Sequence, residues 1–175
     1  MLNRFSAVNG LAAVPVAVLS AGYLVSAQSA AQPANDPTFA CLTNATKVRH
    51  TFISHPDPAR LKEAVRIFEN NETGVDYPVG TVIQMVPNEA MIKRTKAAFP
   101  NSNGWEFFLL DVTAQGATIK MRGDAAANRL GTCLSCHQGG ARYDMVCEHT
   151  HGCTPVPVTD EVIAKVQASD PRCAH

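Results

Sequence analysis

The pentapeptide Cys133-Leu134-Ser135-Cys136-His137 constrains this chain more than any other stretch of its sequence. Two thiols three residues apart lie on the same side of one helical turn, so both can add to the vinyl groups of one haem. The histidine that follows can then bind the iron as its proximal ligand. The motif therefore predicts one covalent haem c, attached through Cys133 and Cys136, with His137 on the iron.

The N-terminus has the layout of a secretory signal peptide. Met1–Phe5 contains one basic residue and no acidic one, and the apolar run Leu11–Ala27 follows it. Small residues then offer cleavage after residue 27, or as late as residue 31. We therefore expect residues 1–27 to be removed, residues 32–175 to form a single haem-binding domain with a Cys/His-rich tail, and the protein to be periplasmic or otherwise exported. The alternative is a retained membrane anchor.

Export also bears on three other interpretations of the pentapeptide. A thioredoxin-like redox pair would follow an early strand of a βαβ unit, whereas this motif lies near the C-terminus. A zinc site could use the nearby residues Cys147, His149, His151 and Cys153. The third interpretation is a structural disulfide region without a metal, which export favours over zinc because thiols outside the cytoplasm tend to oxidise. An exported binding domain stabilised by zinc or disulfides, without haem, is therefore the alternative function.

The remaining cysteines predict disulfide bonds. The sequence has six cysteines, and removing the two of the haem motif leaves four. Four cysteines allow three pairings. We expect Cys147–Cys153, across a loop that contains Gly152, and Cys41–Cys173, between the N-terminal segment and the tail. Cys153–Cys173, which would tie down the last helix, is the alternative.

Charge and composition exclude several classes of partner. Lys+Arg and Asp+Glu both number 15, so the chain lacks the basic excess with which a nucleic-acid-binding face is built. Apolar residues make up 46% of the chain, which excludes a disordered charged tail. After the first 27 residues no apolar stretch is long enough to span a bilayer, so we expect no membrane contact once the leader is removed.

Hydrophobic periodicity predicts helices first, then strands, and then a Cys/His-rich C-terminal third. Asp36-Pro37 and Asp57-Pro58 would each begin a helix, and Thr159 would cap a short helix over residues 160–168. Three runs predict strands, of which the last two form a hairpin: Gly80–Val86, Gly104–Val112 and Ala117–Arg122. The predicted fold class is α+β, an antiparallel β-sheet with flanking helices and a C-terminal, covalently attached haem motif.

A late haem motif behind a strand-rich body resembles the cytochrome P-460 and cytochrome c′-beta superfamily. Small electron-transfer cytochromes carry the motif near the N-terminus, and cytochrome c′ is helical throughout. The resemblance rests on the strand around Val82 to Met91, on Met91-Ile92-Lys93, on Gly104-Trp105-Glu106-Phe107 and on Cys133–His137. It implies a sheet-based fold that holds one haem, a proximal His, and an often open distal side.

The two branches of that superfamily imply different chemistry. In the P-460 branch a lysine cross-links to the haem rim and the protein oxidises hydroxylamine, which makes Lys93 or Lys96 a candidate catalytic residue. The alternative is that both are solvated surface lysines. In the c′-beta branch nitric oxide binds behind phenylalanines, so Phe107 or Phe108 could cap a distal pocket, the alternative being ordinary core. The expected partner is a small inorganic nitrogen compound or a redox partner protein.

The sixth iron ligand separates an electron carrier from a protein that binds small ligands. The candidates are Met85, Met91, Met121, Met145, His149 and His151. We expect the preceding strands to wall the second haem face, with inward residues drawn from Val82, Gln84, Val86, Trp105, Phe107, Leu109, Ile119 and Met121. Most of these side chains cannot bind iron, so the expectation is an open site, with Met121 or Met85 as the alternative ligand.

Two arginines close to the motif could hold the haem propionates. Arg129 lies four residues before Cys133, and Arg142 lies five residues after His137. A guanidinium group can hold a carboxylate with two hydrogen bonds. Either arginine is therefore a candidate haem-binding residue, the alternative being a solvated surface side chain.

Overall fold

A six-stranded antiparallel sheet forms the centre of the fold, with the strands side by side in chain order. The computed structural model describes residues 36–148, 152–153, 155 and 157–173. The strands are β1 Thr46–Val48, β2 Thr51–Ser54, β3 Val82–Gln84, β4 Glu89–Lys93, β5 Trp105–Thr113 and β6 Gly116–Arg122. The predicted antiparallel α+β class is confirmed. The expected signal peptide, His149 and His151 lie outside the described residues.

Helices and one small hairpin flank this sheet. The helices are α1 Pro58–Glu69, α2 Cys133–His137 and α3 Asp160–Ala168, and the hairpin is β7 Ala127–Asn128 with β8 Gly131–Thr132. The side chain of Asp57 accepts the Ala59 and Arg60 N–H groups, and Thr159 accepts that of Val162, so α1 and α3 begin where their capping residues predict. Among the described residues, no helix combines the length and the apolarity that crossing a bilayer requires.

Two local predictions are wrong. Asp36 caps only a three-residue 3₁₀ turn, Pro37–Phe39, because the chain is extended again at Ala40. The strand expected around Val82 to Met91 is two strands, β3 and β4, which pair with each other. Pro87 and Asn88 lie between them, where proline and asparagine favour a turn over continued strand.

Apolar side chains cover both faces of the sheet. One face carries the cross-strand row Ile53, Ile83, Met91 and Phe107, which lies in the same core cluster as the buried side of α1. The opposite face carries a second cluster of Phe39, Val82, Ala90, Ile92, Phe108, Leu110 and Ala117. A sheet buried on both sides explains why β5 shows apolar residues at consecutive positions.

A bulge between β5 and β6 overturns the predicted set of inward residues. Leu109 pairs with Met121, but Leu110 pairs with Ile119, so one extra residue is inserted into β6. Ile119 therefore faces the Phe39 side with Leu110, whereas Met121 lies on the Phe107 side with Leu109. Val82 also lies on the Phe39 side. A shift of one residue reverses the face of every following side chain, and the sequence does not record it.

Both predicted disulfide bonds are present. Cys41 is bonded to Cys173 with the Cα atoms 4.8 Å apart, and Cys147 is bonded to Cys153 with the Cα atoms 5.4 Å apart. The first joins the segment before β1 to the residues after α3. The second closes a short loop after the Cys133–His137 motif.

Candidate functional site

The motif folds as a single helical turn directly after the β7–β8 hairpin. Thr132 caps this turn by accepting the N–H of Ser135, and the Ser135 hydroxyl donates back to the Thr132 carbonyl at 2.8 Å. The Cys133 N–H donates to the Ala126 carbonyl at 2.9 Å, which fixes the start of the turn against the preceding chain. The local sequence thus supplies the helical geometry that the spacing of the two cysteines requires.

Cys133 and Cys136 are the two cysteines that form no disulfide. Cys136 is exposed, whereas Cys133 is half-buried against the core cluster that contains Phe107. Burial raises the pKa of the Cys133 thiol to about 11, and the negative charge of Glu89 adds to this rise. The fold therefore keeps two thiols on one turn and commits the other four cysteines to structure.

His137 is held through one ring nitrogen. Its Nδ1 lies 2.8 Å from the Met145 carbonyl oxygen and 3.6 Å from the Cys147 sulfur, and its ring contacts Phe107 with the centroids 4.9 Å apart. Because a carbonyl only accepts, Nδ1 carries the proton and Nε2 carries the lone pair. Burial lowers the pKa of His137, and the hydrogen bond to Met145 offsets part of this effect. The neutral tautomer with a free Nε2 is the form that binds a metal.

A buried ion pair supports the turn that carries the Met145 carbonyl. The Lys93 ammonium lies 2.7 Å from both Asp144 carboxylate oxygens and 2.7 Å from the Asn103 carbonyl, so its three donors are used. Asp144 also accepts the Tyr77 N–H at 2.8 Å, and its own carbonyl accepts the Trp105 indole N–H at 2.6 Å. Sequence reasoning missed Asp144, because nothing near the motif marks it as the partner of a lysine 51 residues away.

The two candidate cross-linking lysines lie in different surroundings. Lys93 is buried, so the interpretation of both lysines as solvated is wrong for this one. Lys96 is exposed and forms an ion pair with Asp76 at 2.8 Å. Cross-linking of either lysine to a haem stays a prediction.

The candidate distal phenylalanines are both core side chains, as the alternative interpretation holds. Phe108 lies on the sheet face opposite to the motif, where its ring is 5.0 Å from that of Phe39. Phe107 contacts the ring of His137 itself. Capping of a distal pocket by either ring stays a prediction.

Among the candidate sixth ligands in the described residues, Met121 is the one whose side chain is exposed. Met91 is buried in the core row, and Met145 lies in the turn that holds His137 Nδ1. The backbone carbonyl of Met85 accepts a hydrogen bond from the Gln167 side chain of α3. Met121 is 37% exposed on the Phe107 face of the sheet.

The two candidate propionate ligands are surface residues. Arg129 is exposed in the turn between β7 and β8. Arg142 is exposed in the 3₁₀ segment after α2, with its guanidinium 5.1 Å from the ring centroid of Tyr143. Their role as ligands of the haem propionates stays a prediction.

The residues at the motif fit haem c better than they fit a zinc ion. Both thiols are unpaired on one turn, and Nε2 of a neutral histidine is available. Among the described residues, His137 has Cys147 and Cys153 as its nearby sulfur atoms, and the disulfide removes those two as thiolates.

No protein-family model matches the chain, and neither a curated protein nor a solved structure is similar enough to count as a match. The chemistry of the site therefore rests on its own residues.

Proposed function

We propose that this protein is an exported monohaem c-type cytochrome, with haem attached through Cys133 and Cys136 and His137 as the proximal ligand. One observation carries the proposal: the fold leaves unpaired the two cysteines of the C-x-x-C-H turn and pairs the other four. In an exported protein, unpaired vicinal thiols that served no purpose would be expected to oxidise. Attachment to haem gives these two thiols a stable end state.

The residues of the chain have separate tasks in this proposal. Haem c would supply a one-electron iron couple and a coordination position for a small ligand. Cys133 and Cys136 anchor the group so that it cannot dissociate. His137 would bind the iron through the lone pair of Nε2, while its Nδ1–H donates a hydrogen bond to the Met145 carbonyl. Arg129 and Arg142 are the cations nearest in sequence that could meet the propionates.

Covalent attachment is tested by the mass and the spectrum of the purified protein. The full chain, expressed with its leader in a bacterium that attaches haem c, should keep one haem per chain through acidic organic extraction. It should give a pyridine haemochrome spectrum of the c type. The variant Cys133→Ala/Cys136→Ala should lose the haem, and the matched variant Cys147→Ala/Cys153→Ala should keep it. Haem that is extracted from the wild-type protein would contradict the proposal.

The activity at the iron depends on the sixth ligand, and we propose an open distal site. Its support is that two of the four candidate methionines in the described residues, Met91 and Met145, have their side chains buried in the core cluster. Ferrous protein should then be high-spin and should bind carbon monoxide promptly. A low-spin spectrum that Met121→Ala abolishes would assign the protein to electron transfer instead. The ferrous spectrum therefore distinguishes electron transfer from small-ligand chemistry of the nitric oxide or hydroxylamine type.

The resemblance to the cytochrome P-460 and cytochrome c′-beta superfamily also stands as a proposal. An antiparallel sheet ahead of a late haem motif supports it. The second candidate function, an exported binding domain without haem, is favoured by the two disulfides. The haemochrome measurement separates these two functions, because only the first of them carries haem.

A further inference from the structure

Lys93, Asp144 and Asn103 form a buried polar cluster that connects to His137 through the Met145 carbonyl. Attachment of a haem does not require this cluster. We propose that Asp144, held by Lys93, is a positioning residue that fixes the Met145 carbonyl against His137 and so sets the reduction potential of the bound iron. This inference rests on the proposed function, because it concerns how His137 acts as a ligand.

Every polar group of Asp144 is engaged. Its two carboxylate oxygens meet the Lys93 ammonium at 2.7 Å, and one of them also accepts the Tyr77 N–H. Its carbonyl accepts the Trp105 indole N–H. The Lys93 and Asp144 side chains are 2% and 1% exposed, so this ion pair is isolated from solvent. The sheet thereby holds Asp144 in one place through its side chain and its backbone.

The backbone at Asp144 and Met145 needs such support. Their φ angles are 55° and 64°, so two successive residues other than glycine adopt the left-handed conformation. That conformation is uncommon for such residues and persists where the surroundings fix it. It also directs the Met145 carbonyl at His137 Nδ1, at 2.8 Å. The contacts of Asp144 therefore decide where the acceptor for His137 lies.

A well-placed acceptor strengthens a histidine ligand. A hydrogen bond from Nδ1–H to a carbonyl fixes the orientation of the ring and raises the basicity of Nε2. A more basic ligand favours the ferric state and lowers the reduction potential of the iron. Loosening the turn should therefore raise the potential and expose Nδ1–H to exchange with solvent, while the haem stays attached through its thioethers.

The test compares two variants of the full, haem-bearing chain with the wild type. Asp144→Asn keeps the shape of the side chain and tolerates the left-handed conformation, but removes the charge that holds Lys93. A buried ammonium without its partner can unfold a protein, so the second variant, Lys93→Met/Asp144→Asn, removes both charges. The matched control is Asp170→Asn, which breaks the buried Asp170–Arg172 ion pair next to the Cys41–Cys173 disulfide.

Two measurements report on His137 rather than on folding alone: the reduction potential, and the exchange of the Nδ1–H proton in deuterated water followed by NMR. Both Asp144 variants should show a higher potential and faster exchange than the wild type, and Asp170→Asn should show neither. Unchanged values in both Asp144 variants, or equal changes in the control, would overturn this inference alone. Wild-type protein without covalent haem would overturn the proposed function as well.

Discussion

The two thiols of the motif lie in different surroundings, although only two residues separate them. Raising the pKa of Cys133 from 9.0 to about 11 lowers its thiolate fraction about 100-fold at pH 8. A more basic thiolate is also more nucleophilic, which offsets part of the loss of rate. We therefore expect Cys133 to be alkylated about 10-fold more slowly than a thiol with a pKa of 9.0. Cys136, which is exposed on the same turn, is the thiol whose rate is compared with that of Cys133.

Timed reaction of the haem-free, disulfide-intact protein with iodoacetamide, followed by peptide mass spectrometry, measures the two rates separately. In urea the two thiols should react at similar rates, since unfolding removes the burial of Cys133. Equal rates in the folded protein would show that Cys133 is not protected. The same difference predicts that Cys136 is the more accessible thiol for the attachment machinery.

Asp170 gives stability a dependence on pH. Burial alone would raise its pKa, but hydrogen bonds from Arg172 and from the Leu42 N–H hold the pKa of Asp170 below its usual value of 3.8. A carboxyl group with a lowered pKa in the folded state stabilises the protein above pH 3.8, and this stabilisation is lost as the pH falls further. Asp170→Asn should therefore lower the unfolding free energy at pH 7 by about 3–5 kcal/mol, because Arg172 is left buried without its partner.

Urea unfolding at pH 7, 5 and 3 measures this difference, which should be full at pH 7 and 5 and smaller at pH 3. Asp111→Asn is the matched control, since its ion pair with Lys120 is exposed and should contribute less than about 1 kcal/mol. A difference between wild type and Asp170→Asn that stays constant down to pH 3 would mean that Asp170 does not titrate as described.

The 3₁₀ segment Gln138–Tyr143, which follows α2, depends on close contact with the disulfide loop. A Cβ atom at Gly140 would lie 2.9 Å from the Val146 carbonyl oxygen and 3.1 Å from the Cys147 sulfur. Gly140→Ala should therefore push residues 146–147 away from the motif and cost about 1–3 kcal/mol of stability. The change should also loosen the Met145 carbonyl from His137.

Urea unfolding and the haem spectrum of the Gly140→Ala variant test this prediction. Gly74→Ala is the comparison, since its φ of 71° adds backbone strain but no atom lies within 4 Å of the new Cβ. That variant should be destabilised without a spectral change. An alanine at position 140 that leaves both stability and spectrum intact would show that the loop yields easily.

At the scale of the whole molecule, the two disulfides should stabilise the fold unequally. Cys41–Cys173 closes a sequence separation of 132 residues and Cys147–Cys153 one of 6. Loss of loop-closure entropy in the unfolded chain is worth about 5 kcal/mol for the longer loop and about 2 kcal/mol for the shorter one. Cys41→Ala/Cys173→Ala should thus lower the unfolding free energy more than Cys147→Ala/Cys153→Ala. Urea denaturation of both variants measures the order, and the reverse order would contradict the entropic argument.

The local sequence determined the parts of the fold that depend on neighbours along the chain. Asp57-Pro58 and Thr159 began helices because capping needs only a side chain and the next few N–H groups. The β5–β6 hairpin followed from its strand pattern and the turn signal at Gln115-Gly116, although the turn itself is Ala114-Gln115 and Gly116 is the first residue of β6. The β1–β2 hairpin was missed, because its turn residues Arg49-His50 contain no glycine or asparagine, although Arg49 adopts a positive φ of 53°.

The sequence by itself also determined the motif, since the spacing of Cys133, Cys136 and His137 is a property of one helical turn. Only the tertiary structure decided which side chains surround it. A strand that is apolar on both faces does not reveal which face Phe107 uses, and a bulge separates Ile119 from Met121. The pairing of Lys93 with Asp144 joins β4 to the turn after the motif. Such contacts follow from register and chain path, which no local pattern encodes.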